Sequence, residues 1–147
     1  MSGTLVAKEL RHRFKAALSA TPILADGQTV RVLQSLPAGW VVPDDQLPAL
    51  YVFSAGEALS YEALSETERT LGLDVVVMAR PGGDPMDQLD DAQLAIEMIM
   101  IGAGGFGIAR TNRLVSVEIA QNQGAMMIGT RVMKFELTFG VTTKGTS

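Results

Sequence analysis

Three groups of residues in this chain have types and spacings that chemistry could use. The first centres on His12, the only histidine, within Lys8-Glu-Leu-Arg11-His12-Arg13-Phe-Lys15. A catalytic triad or a histidine metal site would have to use it. It lies among cationic neighbours, and there is no cysteine or second histidine to share a metal. The second group is the carboxylates Asp84, Asp87, Asp90 and Asp91, which could hold a divalent cation. Their spacing instead places them in the first two turns of a helix, where the dipole accounts for acidic residues. The third is Gly102-Ala-Gly-Gly-Phe-Gly107, which matches G-x-G-x-x-G. A dinucleotide site needs a strand before that loop and a helix opening after it. Here the run follows a helix and leads into a strand, so it reads as a helix stop and loop. No G-x-S-x-G elbow surrounds any serine. Without a matched nucleophile, base and acid, the sequence predicts a protein that is not an enzyme and carries no metal or cofactor.

The elements around these groups are better specified than any chemistry. Arg69-Thr-Leu-Gly-Leu-Asp-Val-Val-Val-Met-Ala-Arg80 reads as a long strand. Leu71, Leu73, Val75 and Val77 share one face; Gly72, Asp74, Val76 and Met78 share the other. A strand apolar on both faces over its second half belongs centrally in a sheet or against another molecule. Pro81-Gly-Gly breaks it. A helix follows, with Asp84 as N-cap, Pro85 at N1, Asp87 in the first turn and Gly102 as the stop. Leu89, Ala92, Ile96 and Ile99 form the stripe expected on the sheet. Leu94, Met98 and Ile101 form a second apolar stripe on roughly the opposite side. A helix apolar on two sides is covered by a neighbouring subunit, or by the first helix or the segment around Trp40; the domain's small size favours the neighbour.

Before this unit, Val6, Leu10, Phe14 and Leu18 predict a helix over 4–19, capped by Ser2 or Thr4 and ended by Thr21-Pro22. Lys8, Arg11, His12, Arg13 and Lys15 occupy its remaining faces. Lys8, Arg11, Arg13 and Lys15 read as a solvated face or as a contact to an acidic partner or phosphate. Thr29–Leu33 is a short strand, the three-proline stretch from Leu36 to Pro48 is irregular with Trp40 plugging the core edge, and Ala49–Ser54 is a strand. Residues 56–65 read as a polar excursion with room for a helical turn.

The C-terminal third predicts a hairpin. Val115, Val117 and Ile119 alternate with polar residues, as do Met133, Phe135, Leu137, Phe139 and Val141, so both strands should lay odd positions on the core. A register with Glu118 opposite Lys134 would pair opposite charges. The loop between them ends in Met126, Met127 and Ile128, an apolar tip suited to docking.

At 147 residues, with 47% hydrophobic and 19% charged residues, the chain reads as one globular α+β domain. A chain of this length buries roughly 70% of its unfolded surface. A net charge of −4 lacks the basic excess of a dedicated nucleic-acid binder. The absence of cysteine removes disulfides and fits a reducing compartment. The first residues show no basic leader, and no apolar run approaches a membrane span, so no membrane association is expected.

The order of helix, proline-rich connection, strand Leu47–Phe53, strand Arg69–Val77, acid-headed helix with Leu89–Ile96 and Glu97, and terminal strand Val132–Val141 resembles the tail terminator proteins of long-tailed phages. These are the minor tail protein U type and its relatives in prophages and gene transfer agents. The resemblance implies a single domain over residues 1–147, with a mixed, mostly antiparallel sheet carrying two main helices on one face. It further implies a hexameric ring that caps the tail tube, halts its polymerisation and receives the head-completion or connector protein. DNA would pass through the ring's channel without specific binding, and the site of action would be the virion's head–tail junction, after assembly in the host cytoplasm. Leu94, Met98 and Ile101 would then be a subunit interface and Met126–Ile128 a docking loop. Another neck component, a ligand-binding domain using Gly102–Gly107, and a nucleic-acid module using Lys8, Arg11, Arg13 and Lys15 are the alternatives.

Overall fold

The computed structural model describes residues 3–36, 41–63, 66–121 and 129–142. Its elements run α1 (Gly3–Ala20), β1 (Leu24–Ala25), β2 (Gln28–Thr29), β3 (Arg31–Val32), a 3-10 turn (Asp44–Gln46), β4 (Ala49–Ala63), β5 (Glu66–Met78), α2 (Pro85–Ala103), β6 (Thr111–Gln121) and β7 (Gly129–Thr142). β3 to β7 form a five-stranded sheet in the order β3-β4-β5-β7-β6. β3 runs parallel to β4 and every other pair is antiparallel. The chain is therefore an α+β domain with a mixed, mostly antiparallel sheet.

β5 lies at the centre, as its two apolar faces require. Leu71, Leu73, Val75 and Val77 are buried beneath Leu10, Phe14 and Leu18 of α1 and Leu89, Ala92, Ile96 and Met100 of α2. Burying each of the larger of these side chains contributes roughly 1.5–3 kcal/mol. Phe14 joins the layers: its ring lies 5.9 Å from Phe106 and 5.2 Å, edge-on, from Phe135. On the other face, Ala49, Val76 and Met78 pack with Leu33, Val42 and Leu47, so the irregular connection closes one end of the sheet's back. The expectation for Trp40 lies outside the described residues.

Several local expectations need correction. α1 starts at Gly3, which puts Thr4 inside the helix and not at its cap. The segment 29–33 is not one strand: β2 closes a small hairpin on β1, and after Val30 the chain crosses to run beside β4. Residues 56–63 are not an excursion with a helical turn. They continue β4 alongside β5, with an irregularity between Ser54 and Gly56. The polarity of residues 56–60 reflects solvent on both faces beyond the helices, where residues 54–60 are exposed.

The hairpin of β6 and β7 also differs in detail. Met133, Phe135, Leu137, Phe139 and Val141 are buried as expected, but Val115, Val117 and Ile119 are exposed. β6 is an edge strand, and a bulge between Leu114 and Ser116 takes Val115 out of phase. Val117 and Ile119 sit opposite Met133 and Arg131, on the helix side but uncovered. Lys134 lies opposite Ser116, not Glu118, two residues from the expected register. A two-residue offset keeps every side chain on its face. The charges still meet diagonally, with Lys134 Nζ 3.3 Å from Glu118 Oε1.

Candidate assembly surface

α2 is built by local rules. The Asp84 carboxylate accepts from the Met86 and Asp87 amides at 3.0 and 3.3 Å, and Pro85 occupies N1, where no amide hydrogen is needed. The helix passes through Gly102 and ends at Ala103, with Gly104 at φ 58 and its amide on the Met100 carbonyl. Its inward stripe is Leu89, Ala92, Ile96 and Met100; Ile99, expected there, is half-buried at the flank. Opposite that stripe, Leu94, Met98 and Ile101 are 62%, 65% and 82% exposed. Neither α1 nor any other described residue covers them. Together they make an apolar strip on a helix whose remaining outward residues include Asp87, Asp90 and Asp91.

The basic residues of α1 are not equivalent. Arg13 Nε bonds Glu9 at 2.9 Å, and its Nη1 donates to the Phe106 carbonyl at 2.7 Å, tying α1 to the loop after α2. The Lys15 ammonium stands 6.0 Å from the Tyr51 ring centroid. Lys8 and His12 are exposed on the outward side of the helix, and Arg11 is half-buried at its flank. The patch is thus divided between internal fastening and outward charge, which weakens its reading as a phosphate-binding row. Met126, Met127 and Ile128 lie outside the described residues.

The glycine run is a fastening loop. The Ile108 and Ala109 amides both bond the Gly105 carbonyl, at 3.0 and 2.9 Å. A Cβ at Gly105 would overlap the Ala109 carbonyl, so only glycine permits this turn. Phe106 turns its ring onto Phe14. Asn112 of β6 donates to the Gly104 carbonyl at 2.9 Å, anchoring the loop from its far side. This packing uses the loop structurally and counts against a nucleotide cradle. Among the described residues, no three His, Asp or Glu side chains are grouped to hold a metal ion.

Sequence reading missed two buried polar residues that fix α2 on the sheet. Gln88 accepts from the Arg80 amide at 2.8 Å and donates to the Arg80 carbonyl at 3.0 Å, splinting the turn between β5 and α2. Arg131 bonds Asp90 and Gln93 from β7. An arginine in phase with Met133 and Phe135 on a core-facing strand was the available signal for the second; Gln88 carried none.

The sheet face away from the helices is polar over its open part. Lys134 pairs with Glu118, Arg113 with Glu136 at 3.8 Å, and Arg110 with Glu68 at 3.3 Å. Thr70 and Thr138 share a hydrogen bond between them. Burial raises the Asp74 carboxyl above its ordinary pKa, Lys134 opposes that, and Glu118 adds to it. These three cations each have a carboxylate against them, so this part of the face presents balanced charge.

No protein-family model and no curated protein matches this chain.

Proposed function

We propose that this chain is a structural assembly protein, a tail terminator that forms a six-membered ring on the end of a phage tail tube. One observation carries the reading: Leu94, Met98 and Ile101 lie uncovered on the back of a well-formed helix. An apolar strip of this kind marks a protein-contact surface. A contact joining it to a different surface of the next copy is heterologous, and heterologous contacts generate rings when the rotation closes. The ring would stop tube growth, receive a head-completion protein and sit at the head–tail junction. Its channel would pass DNA. A conduit rich in unpaired cations would hold DNA by releasing counterions. The ion-paired back of the sheet suits a conduit wall for the opposite reason.

Electron microscopy of tails made with and without the protein tests this. Tails of unregulated length in its absence support termination. Tails of normal length that lack only heads would assign the chain to the neck instead.

A further inference from the structure

α1 and α2 carry opposite charge. α1 holds four cations, Lys8, Arg11, Arg13 and Lys15, against one carboxylate, Glu9. α2 and its cap hold five carboxylates, Asp84, Asp87, Asp90, Asp91 and Glu97, and no cation. Both helices pack on the same face of the sheet and turn their other sides to solvent.

Each outward surface is also graded along its axis. On α2 the first half is acidic, at Asp87, Asp90 and Asp91, and the second half is apolar, at Leu94, Met98 and Ile101. On α1 the first turns present exposed Leu5, and the turns after it present Lys8 and His12, with half-buried Arg11 at the flank. We infer that the back of α2 is covered by the outward side of α1 from a second copy, with the two helices antiparallel.

Helix geometry supports that direction. With Leu5 set against Met98, Arg11 lies roughly 9 Å further along its axis at 1.5 Å per residue, about a third of a turn round from Leu5, so its long side chain reaches in from the flank. Asp91, which also accepts from the Asp26 amide at 2.9 Å, lies roughly 10.5 Å from Met98 in the matching direction, so guanidinium and carboxylate arrive at one level. Lys8 falls between them, where its aliphatic stem can cover Leu94 while its ammonium stays wet. The parallel arrangement would set Leu5 among the carboxylates and the cations beside Ile101, which leaves both surfaces mismatched. The crowding of Asp84, Asp26, Asp91 and Asp90 around Asp87, which raises its pKa, would be relieved by the arriving cations.

This pairing rests on the self-assembly proposed above and names the partner surface within it. It can be tested separately, because the chain contains no cysteine. Single-cysteine variants Leu5→Cys and Met98→Cys are mixed in full-length form and oxidised, with folding verified by circular dichroism. The expected result is a covalent Leu5→Cys/Met98→Cys heterodimer several-fold in excess of either homodimer. A Leu5→Cys/Asp87→Cys mixture should give none above background. Adding Lys8→Glu and Arg11→Glu to the first partner should remove the excess, and adding Asp87→Lys to the second should restore part of it. Equal homodimer and heterodimer yields, or preferential coupling to Asp87→Cys, would overturn the pairing. If tails are still capped after that failure, the ring reading survives and only this contact is wrong. If the heterodimer forms but tails are not terminated, the contact stands and the tail reading falls.

Discussion

Arg131 of β7 donates from Nη1 to Asp90 Oδ1 of α2 at 2.6 Å, and the two partners live in different environments. The arginine side chain is 5% exposed, whereas that of Asp90 is 66% exposed. The same nitrogen also reaches Gln93 Oε1 at 2.9 Å. The guanidinium has given up water for these two acceptors, while the carboxylate keeps most of its hydration. The pair therefore anchors α2 to the sheet from the strand side, leaving the outward surface of the helix free for other contacts.

That asymmetry predicts unequal mutational costs. Arg131→Ala loses both bonds and the packing of the aliphatic stem, and should cost roughly 2–3 kcal/mol. Asp90→Asn keeps an acceptor and leaves Gln93 in place, and should cost about 1 kcal/mol or less. Urea unfolding of the two variants measures the difference; equal losses would contradict the anchoring role.

The cap of α2 makes a second expectation. Asp84→Ala removes the acceptor for two amides and should cost about 1 kcal/mol, while Asp84→Ser should recover most of it. Thermal unfolding compares the three proteins. A serine variant no better than alanine would mean that the carboxylate acts through its charge alone.

Asp74 supplies a pH-dependent expectation. Its folded pKa is raised above the ordinary 3.8, mainly by burial, so the folded state holds its proton to higher pH than the unfolded chain does. Stability from this group is full below the ordinary value and falls as pH climbs through the window above it. Asp74→Asn should therefore unfold at higher temperature than the parent at neutral pH. The gap should shrink as pH drops toward 3.8 and below. A variant that is less stable at neutral pH would show that the Lys134 attraction outweighs burial.

Legibility in the sequence tracked how local the determining physics was. Asp84, Pro85 and Asp87 specify the start of α2 through neighbours in the chain, and that start was readable. The two-sided apolar pattern of β5 placed it centrally. The extension of β4 was not readable, because residues with solvent on both faces lose the alternation that marks a strand. Exposure of Val117 and Ile119 depends on β6 being the last strand of the sheet, a property of strand order and not of pattern. For the candidate surface, the second stripe of α2 was visible from its spacing. The division of the α1 cations was not, since Arg13 is held by Phe106, a partner 93 residues away.

The central claim is that the outward stripe of α2 joins copies into a ring that ends tube growth, and Met98→Glu tests it most directly. Met98 is largely exposed, so the isolated variant should fold with a stability change within about 0.5 kcal/mol of the parent. Tail lengths measured by electron microscopy then decide the matter. Uncapped tubes of unregulated length, from a variant that is folded but does not assemble, are the expected result. Rings and tails indistinguishable from those of the parent protein would contradict it.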